Sequence, residues 1–221
     1  MTASSRHGLF ISVEGGDGAG KTTQLGLLRD WLSGPGSPLR YPPVFSREPG
    51  GTPLGAAVRE TLLHSEHVDP RAEALLYAGD RAHHVATVIR PALERGEVVI
   101  TDRYLDSSIA YQGSRGELSP TDIEEISLWA TQGLLPDVTV LLDISAADAR
   151  ARRLAGRGET EDRIESAGDD FHEAVRRVFR ERAAAEPHRW RVIDASRSVE
   201  EVFAALKLVF TTEIEKWAER P

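Results

Sequence analysis

Cysteine is missing from all 221 residues of this chain. That excludes disulfides, zinc sites built on thiolates and cysteine nucleophiles. Long apolar runs are missing too, and none approaches the ~20 residues that a membrane-spanning helix needs. Met1 to His7 is a short polar stretch without the apolar core of a secretory signal. Positive charge is scarce, with 27 Lys and Arg against 35 Asp and Glu, a net charge of −8. A general nucleic-acid binder needs a basic face for phosphates, so that class is disfavoured. The expectation is a soluble cytoplasmic protein with neither a membrane nor a nucleic-acid partner. Small phosphorylated ligands stay open, because a local arginine cluster can sit in an acidic chain.

Hydrophobic residues make up 40% and charged residues 28%, enough apolar surface to offset the entropy of ordering the chain. The length fits one domain over residues 1–221. Short apolar runs alternate with helical patterns almost from end to end. Leu9 to Val13, Val44 to Ser46, Val98 to Ile100, Val138 to Leu142 and Val192-Ile193 read as five strands. Such continuous runs predict strands buried on both faces, hence a central parallel five-stranded sheet with helices on both sides, an α/β fold.

Helices are expected from Lys21 to Leu32, from Arg71 to Arg90, and from the Ser119-Pro120 cap toward Trp129. Ser198 and Glu201 form a capping-box pattern ahead of a last helix. That helix lines up Phe203, Leu206, Phe210, Ile214 and Trp217 as one apolar face for the sheet. Gly34 to Pro43 reads as a surface loop. Arg150 to Gly168 carries Arg150, Arg152, Arg153, Arg157 and Arg163, broken by Gly156 and Gly158 into a flexible basic stretch.

Gly15-Gly16-Asp17-Gly18-Ala19-Gly20-Lys21-Thr22, followed by Thr23, matches the phosphate-binding G-x-x-x-x-G-K-[ST] loop between a strand and a helix. Its glycines let backbone N–H groups curl around phosphate oxygens, and the helix start adds its positive end. Lys21 suits the β- and γ-phosphates, and the Thr22 hydroxyl suits Mg²⁺. A nucleoside triphosphate is the implied ligand. A guanine-reading N-K-x-D is absent, so phosphoryl transfer to a small acceptor is favoured over a GTPase switch. Asp102, at the carboxyl end of the Val98-Val99-Ile100 strand, is the preferred metal-facing carboxylate, with Asp143 as competitor.

The chain resembles the thymidylate kinase family. The resemblance rests on the phosphate loop, on Arg47-Glu48-Pro49-Gly50-Gly51-Thr52 and on Tyr77-Ala78-Gly79-Asp80-Arg81. It extends through Asp102-Arg103-Tyr104, Ser107-Ser108, Ala110-Tyr111-Gln112-Gly113, Pro136-Asp137 and Asp162-Arg163-Ile164-Glu165. It implies a P-loop nucleoside monophosphate kinase fold with residues 8–22 as first strand and loop and 150–168 as a mobile lid. It also implies ATP-dependent phosphorylation of dTMP to dTDP, on the way to dTTP, with Mg²⁺ in a homodimer.

Carried over by position, Asp17 would approach the deoxyribose 3′-hydroxyl, and Arg47 and Arg103 would hold the dTMP phosphate. Tyr77 stands where the family usually stacks phenylalanine on thymine. Arg81, Ser108 and Gln112 would read the base, Ser107 would join the acceptor site, and Tyr111 would pack under the sugar and disfavour a ribose. Gly18 in the loop resembles the subtype that keeps its catalytic arginines in the lid. Arg157 and Arg163 are then expected at the phosphates, and Arg152 or Arg153 beneath adenine. A related kinase with another acceptor and a silent nucleotide binder are the alternatives. The smooth Arg71 to Arg90 helix suits either a dimer interface or the core.

Overall fold

In the computed structural model, residues 7–65, 67–156 and 167–220 are described. Five strands form one sheet: β1 (Leu9–Glu14), β2 (Val44–Arg47), β3 (Val98–Asp102), β4 (Val138–Asp143) and β5 (Trp190–Asp194). They run in the order β2-β3-β1-β4-β5, every pair parallel. Successive side chains of β1 point to opposite faces, and both faces are covered. Leu9, Ile11 and Val13 join Leu28, Leu32, Leu206, Phe210 and Ile214 on one side. Phe10 joins Ile89, Leu93, Tyr104 and Ile109 on the other.

The described helices are α1 (Lys21–Ser33), α2 (Pro53–His64), α3 (Pro70–His84), α4 (Arg90–Glu94), α5 (Leu105–Gly113), α6 (Pro120–Thr131), α7 (Ala146–Gly156), α8 (Asp169–Ala185) and α9 (Val199–Ala218), and the core residues just named come chiefly from α1, α4, α5 and α9. The capping box at Ser198 and Glu201 forms as the sequence suggests, and Ser119 makes another with Asp122. Along α9, Leu206, Phe210 and Ile214 are buried, while Phe203 and Trp217 flank the same core half-covered. The Gly34 to Pro43 segment holds neither helix nor strand. No described helix is long and apolar enough to cross a membrane.

Three expectations need correction. Burial on both faces holds for β1, β3 and β4, but β2 is only half-buried and β5 leaves Val192 exposed. These are the edge strands, each with a neighbour on one side alone. The Arg71 to Arg90 segment is helical throughout but not uniformly α: α3 ends at His84, and a π turn spans Val85–Ile89 before α4. Pro91 has no N–H to donate back into an α-helical turn, which accounts for the altered ladder ahead of it. Arg150, Arg152 and Arg153 lie on a regular helix, α7, and not in a flexible stretch. Arg157, Arg163 and most of the expected lid lie outside the described residues.

This topology positions the site. β1 is central; the chain leaves it through α1 toward β2 on one side, while the connection from the neighbouring β3 crosses to β4 on the other, so a crevice opens at the carboxyl ends of these two strands. Register brings Val13, Asp102 and Arg47 level across three neighbouring strands.

Candidate active site

The turn after β1 is the glycine loop. Gly15, Gly18 and Gly20 all adopt positive φ, the region that L side chains rarely occupy. Gly18 is the most constrained, since a Cβ there would come 2.4 Å from the Ala149 carbonyl oxygen of α7. An arginine at position 18 therefore has no room in this chain. Lys21 opens α1 and folds back over the loop, its Nζ donating to the Gly15 and Gly16 carbonyls at 2.9 and 3.0 Å. Burial, reinforced by the neighbouring Arg103, pulls its ammonium down to about 8.

Two clefts meet at this loop. The larger, of about 1530 Å³, is lined by Gly18, Ala19, Gly20, Lys21, Thr22 and Thr23, with Arg47, Asp102, Arg152, Arg153 and Ser198 around them. Arg153 braces the loop, Nη1 donating to the Asp17 carbonyl at 2.7 Å. Arg152 reaches the other way, to the Ser196 and Arg197 carbonyls, each at 3.1 Å. The two arginines are thus not equivalent: one stands at the phosphate end of the cleft and one at its far end.

The second cleft, of about 570 Å³, collects Asp17, Tyr77, Arg81, Arg103, Ser107, Ser108, Tyr111 and Gln112. These come from the loop, from α3 and from α5 with the turn before it. Arg103 Nη1 donates to Gly15 O and Ser107 Oγ, both at 3.0 Å, and Nη2 donates to Asp17 Oδ1 at 2.5 Å. The Tyr111 hydroxyl donates to Asp17 Oδ2 at 2.9 Å, and its ring lies 4.8 Å beneath the Arg103 guanidinium. Burial alone would raise the Asp17 carboxyl, but the Arg103 and Lys21 cations outweigh it and hold it down at about 2. Arg81 is fully buried, donating to Glu48 at 2.7 Å, Ser108 at 2.9 Å and Ser127 at 3.1 Å.

The comparisons with known proteins decide the family. The sequence model described as thymidylate kinase matches residues 13–206. The chain belongs to the thymidylate kinase family. It is 57% identical over 201 residues to the thymidylate kinase of Clavibacter michiganensis subsp. michiganensis, covering 90% of this chain and 93% of that protein. It is 56% identical over 206 residues to that of Bifidobacterium longum strain NCC 2705, covering 91% and 96%. Against that of Cutibacterium acnes it is 47% identical over 202 residues, covering 90% and 95%.

Within this thymidylate kinase frame the two competing metal carboxylates separate. Asp143 is engaged by Arg176, which donates to it at 2.8 and 3.1 Å, and by Arg180 at 3.6 Å. Asp102 faces the larger cleft, and its Oδ1 is buried without a hydrogen-bond partner among the described residues. An orphaned carboxylate oxygen beside an exposed threonine hydroxyl fits a divalent cation that takes its other oxygens from phosphates and water.

Arg47 stands at the border of the two clefts, near Arg59. It ends the edge strand β2, is exposed, and lines the larger cleft only. Arg59 of α2 lines both clefts instead, and sequence reasoning missed it. Burial, then the nearby Arg47, holds its guanidinium below its ordinary value. Glu48 was missed as well. It is buried, takes the Arg81 Nε–H, and contacts His84 Nδ1 at 2.8 Å. The Arg47 to Thr52 motif was the only available signal for it.

Proposed function

We propose that this chain transfers the γ-phosphoryl group of ATP to dTMP, giving dTDP and ADP. The observation that carries the reading is the shared wall. The two clefts hold Asp17, Glu48, Arg59 and Arg103 in common, so a triphosphate on the loop and a monophosphate beside Arg103 would meet there. Lys21, with the loop amides, neutralises the transferring group from the donor side. Arg103 and Arg59, with Arg47 nearby, hold the acceptor phosphate in line, and planar guanidinium forks suit that task better than point charges. Tyr77 offers a stacking face for the base, and Arg81, Ser108 and Gln112 supply polar groups for its edge.

Thr22 and Asp102 would hold the Mg²⁺ of the nucleotide, directly or through water. Mg²⁺ bound with ATP supplies charge neutralisation on the phosphates. Arg153 at the loop, Arg152 at the far end, and Arg157 and Arg163 beyond α7 would complete the cationic surround and exclude water.

The homodimer reading is supported by one exposed apolar surface. Leu75 of α3 is 61% exposed and Trp129 of α6 is 83% exposed, bordering a groove floored by Ala78, Gly79 and Ala82. Two copies related by a twofold axis could each place a tryptophan against the other's groove. Light scattering of Trp129→Glu against the parent tests this, with a shift to monomer expected.

A coupled ADP-release assay over dTMP, dUMP, dCMP, dGMP and thymidine tests the activity. Release that depends on dTMP is expected. Equal turnover with thymidine would remove the acceptor phosphate from the reading and, with it, Arg103's role.

A further inference from the structure

Among the described residues, Arg103 is one of two non-glycine positions with positive φ, at 69°, the other being Gln132 at the end of α6. Backbone in that region costs free energy for any residue with a Cβ, and it persists only where surroundings enforce it. The Arg103 N–H donates to the Val13 carbonyl at 3.0 Å, and the residues that follow are held by Glu14, the last residue of β1, which is fully buried. Its Oε1 accepts the Tyr104 N–H at 2.8 Å, and its Oε2 shares a 2.5 Å hydrogen bond with Ser107 Oγ. Tyr104 is the N-cap of α5 and makes no cap bond with its own side chain. A carboxyl from a different element therefore caps this helix. Ser107 Oγ in turn receives Arg103 Nη1, so Glu14 grips the arginine through its following amide and through its side-chain partner.

We propose that Glu14 is a positioning residue for the acceptor phosphate, locking Arg103 over the phosphate loop through the Tyr104 amide and the Ser107 hydroxyl. The proposal rests on the reading that Arg103 holds that phosphate. The charges around Glu14 fit the role. Burial, then Asp106 of α5, pushes it up to about 8, while Arg103 pulls it down and Lys21 of α1 lies within electrostatic reach. The two Glu14 oxygens accept from the Tyr104 amide and the Ser107 hydroxyl. A glutamine keeps both contacts, its carbonyl accepting from Tyr104 and its amide donating to Ser107.

The test compares Glu14→Gln, Glu14→Ala and Glu14→Asp in the coupled assay, with calorimetric binding of dTMP and of thymidine to the whole protein. Glu14→Gln is expected to keep both KM values within about threefold of the parent. Glu14→Ala should raise KM for dTMP about tenfold or more, with KM for ATP and thymidine affinity within about threefold. Thymidine carries no phosphate for Arg103 to hold, so a generally damaged pocket would weaken both ligands and a mispositioned arginine only one. If Glu14→Ala does not fold, Glu14→Asp replaces it, since one methylene less cannot reach both groups and the same split is expected. Unchanged dTMP affinity, or parallel losses for dTMP, thymidine and ATP, overturns the proposal. Arg103→Ala separates the two levels. If it weakens dTMP while the Glu14 variants do not, only the positioning role falls. If it leaves dTMP untouched, the reading beneath falls and takes this proposal with it.

Discussion

Arg103 Nη2 lies 2.5 Å from Asp17 Oδ1, which ties the turn before α5 to the tip of the phosphate loop. The donor and acceptor sides therefore share one charge-assisted bond that sets them relative to each other. Asp17→Asn keeps the shape and removes the charge. Such a bond is worth roughly 1.5–3 kcal/mol, so kcat/KM for dTMP should fall about tenfold to a hundredfold. KM for ATP should change little. An unaltered kcat/KM in the coupled assay would show that Arg103 is held adequately by Gly15, Ser107 and Tyr111.

Lys21→Ala should leave the fold intact and abolish most turnover. Among the described residues its ammonium donates to two carbonyls of its own loop and to no other element, so its removal leaves the sheet and helix cores untouched. Loss of one preorganised group that stabilises developing charge costs roughly 10²–10³-fold in kcat. Circular dichroism of the variant, paired with its single-turnover rate, checks both halves of the statement. Near-parental turnover in a folded Lys21→Ala protein would remove this loop from the chemistry.

How much of this was legible in the sequence depended on whether a signal was local. The five strands were, because each is a short apolar run, and the loop was, because its glycines and Lys21 sit at fixed spacing. Eight acceptor-side residues named from the resemblance do converge on one cleft. Arg59 was not legible, since a lone arginine on a short amphipathic helix looks like part of a solvated face. Glu14 was hidden for a different reason. Before folding it is the end of a strand, and only the return of the chain after β3 brings Tyr104 and Ser107 to it. The π turn within the Arg71 to Arg90 helix could have been read from Pro91, whose missing N–H is a local property. The difference between Arg152 and Arg153 lay beyond sequence, because adjacent residues on α7 reach opposite ends of the same cleft.

Tyr111 contributes both a ring and a hydroxyl, and two variants separate them. The ring underlies Arg103 and packs edge-on near Phe171 and Phe179, while the hydroxyl donates to Asp17. If the ring excludes ribose by filling space, Tyr111→Phe should lower kcat/KM for dTMP and its ribo analogue alike and preserve their ratio. Tyr111→Ala should relax the ratio by ~1–3 kcal/mol, the scale a pocket manages for one small group. A ratio relaxed equally by both variants would make the hydroxyl the reader.

Glu14 also gives a stability prediction whose sign follows from its environment. Its carboxyl sits at about 8 in the fold against an ordinary 4.5, because burial and then Asp106 disfavour the charged form. At pH values between these two, the unfolded chain has released the proton and the folded chain retains it. The folded state then binds more protons, so this residue makes stability fall as pH rises through the window. Below about 4.5 the cost is absent, and above about 8 it is fully present. Glutamine cannot ionise and escapes the cost, while Asp80 and every other titrating group remain common to both proteins. The Tm of Glu14→Gln minus that of the parent should therefore grow steadily between about pH 5 and pH 8. Each pKa unit corresponds to about 1.4 kcal/mol, and a protein of this size gains roughly 2–4 °C per kcal/mol, so about 3–6 °C per pH unit is expected. Thermal unfolding followed by circular dichroism at four pH values measures it. The slope, and not the offset, is the quantity that decides, since a constant difference reflects only how well the amide fits. A difference that stays flat across the window would mean that Glu14 is ionised in the fold, with Ser107 donating to it throughout.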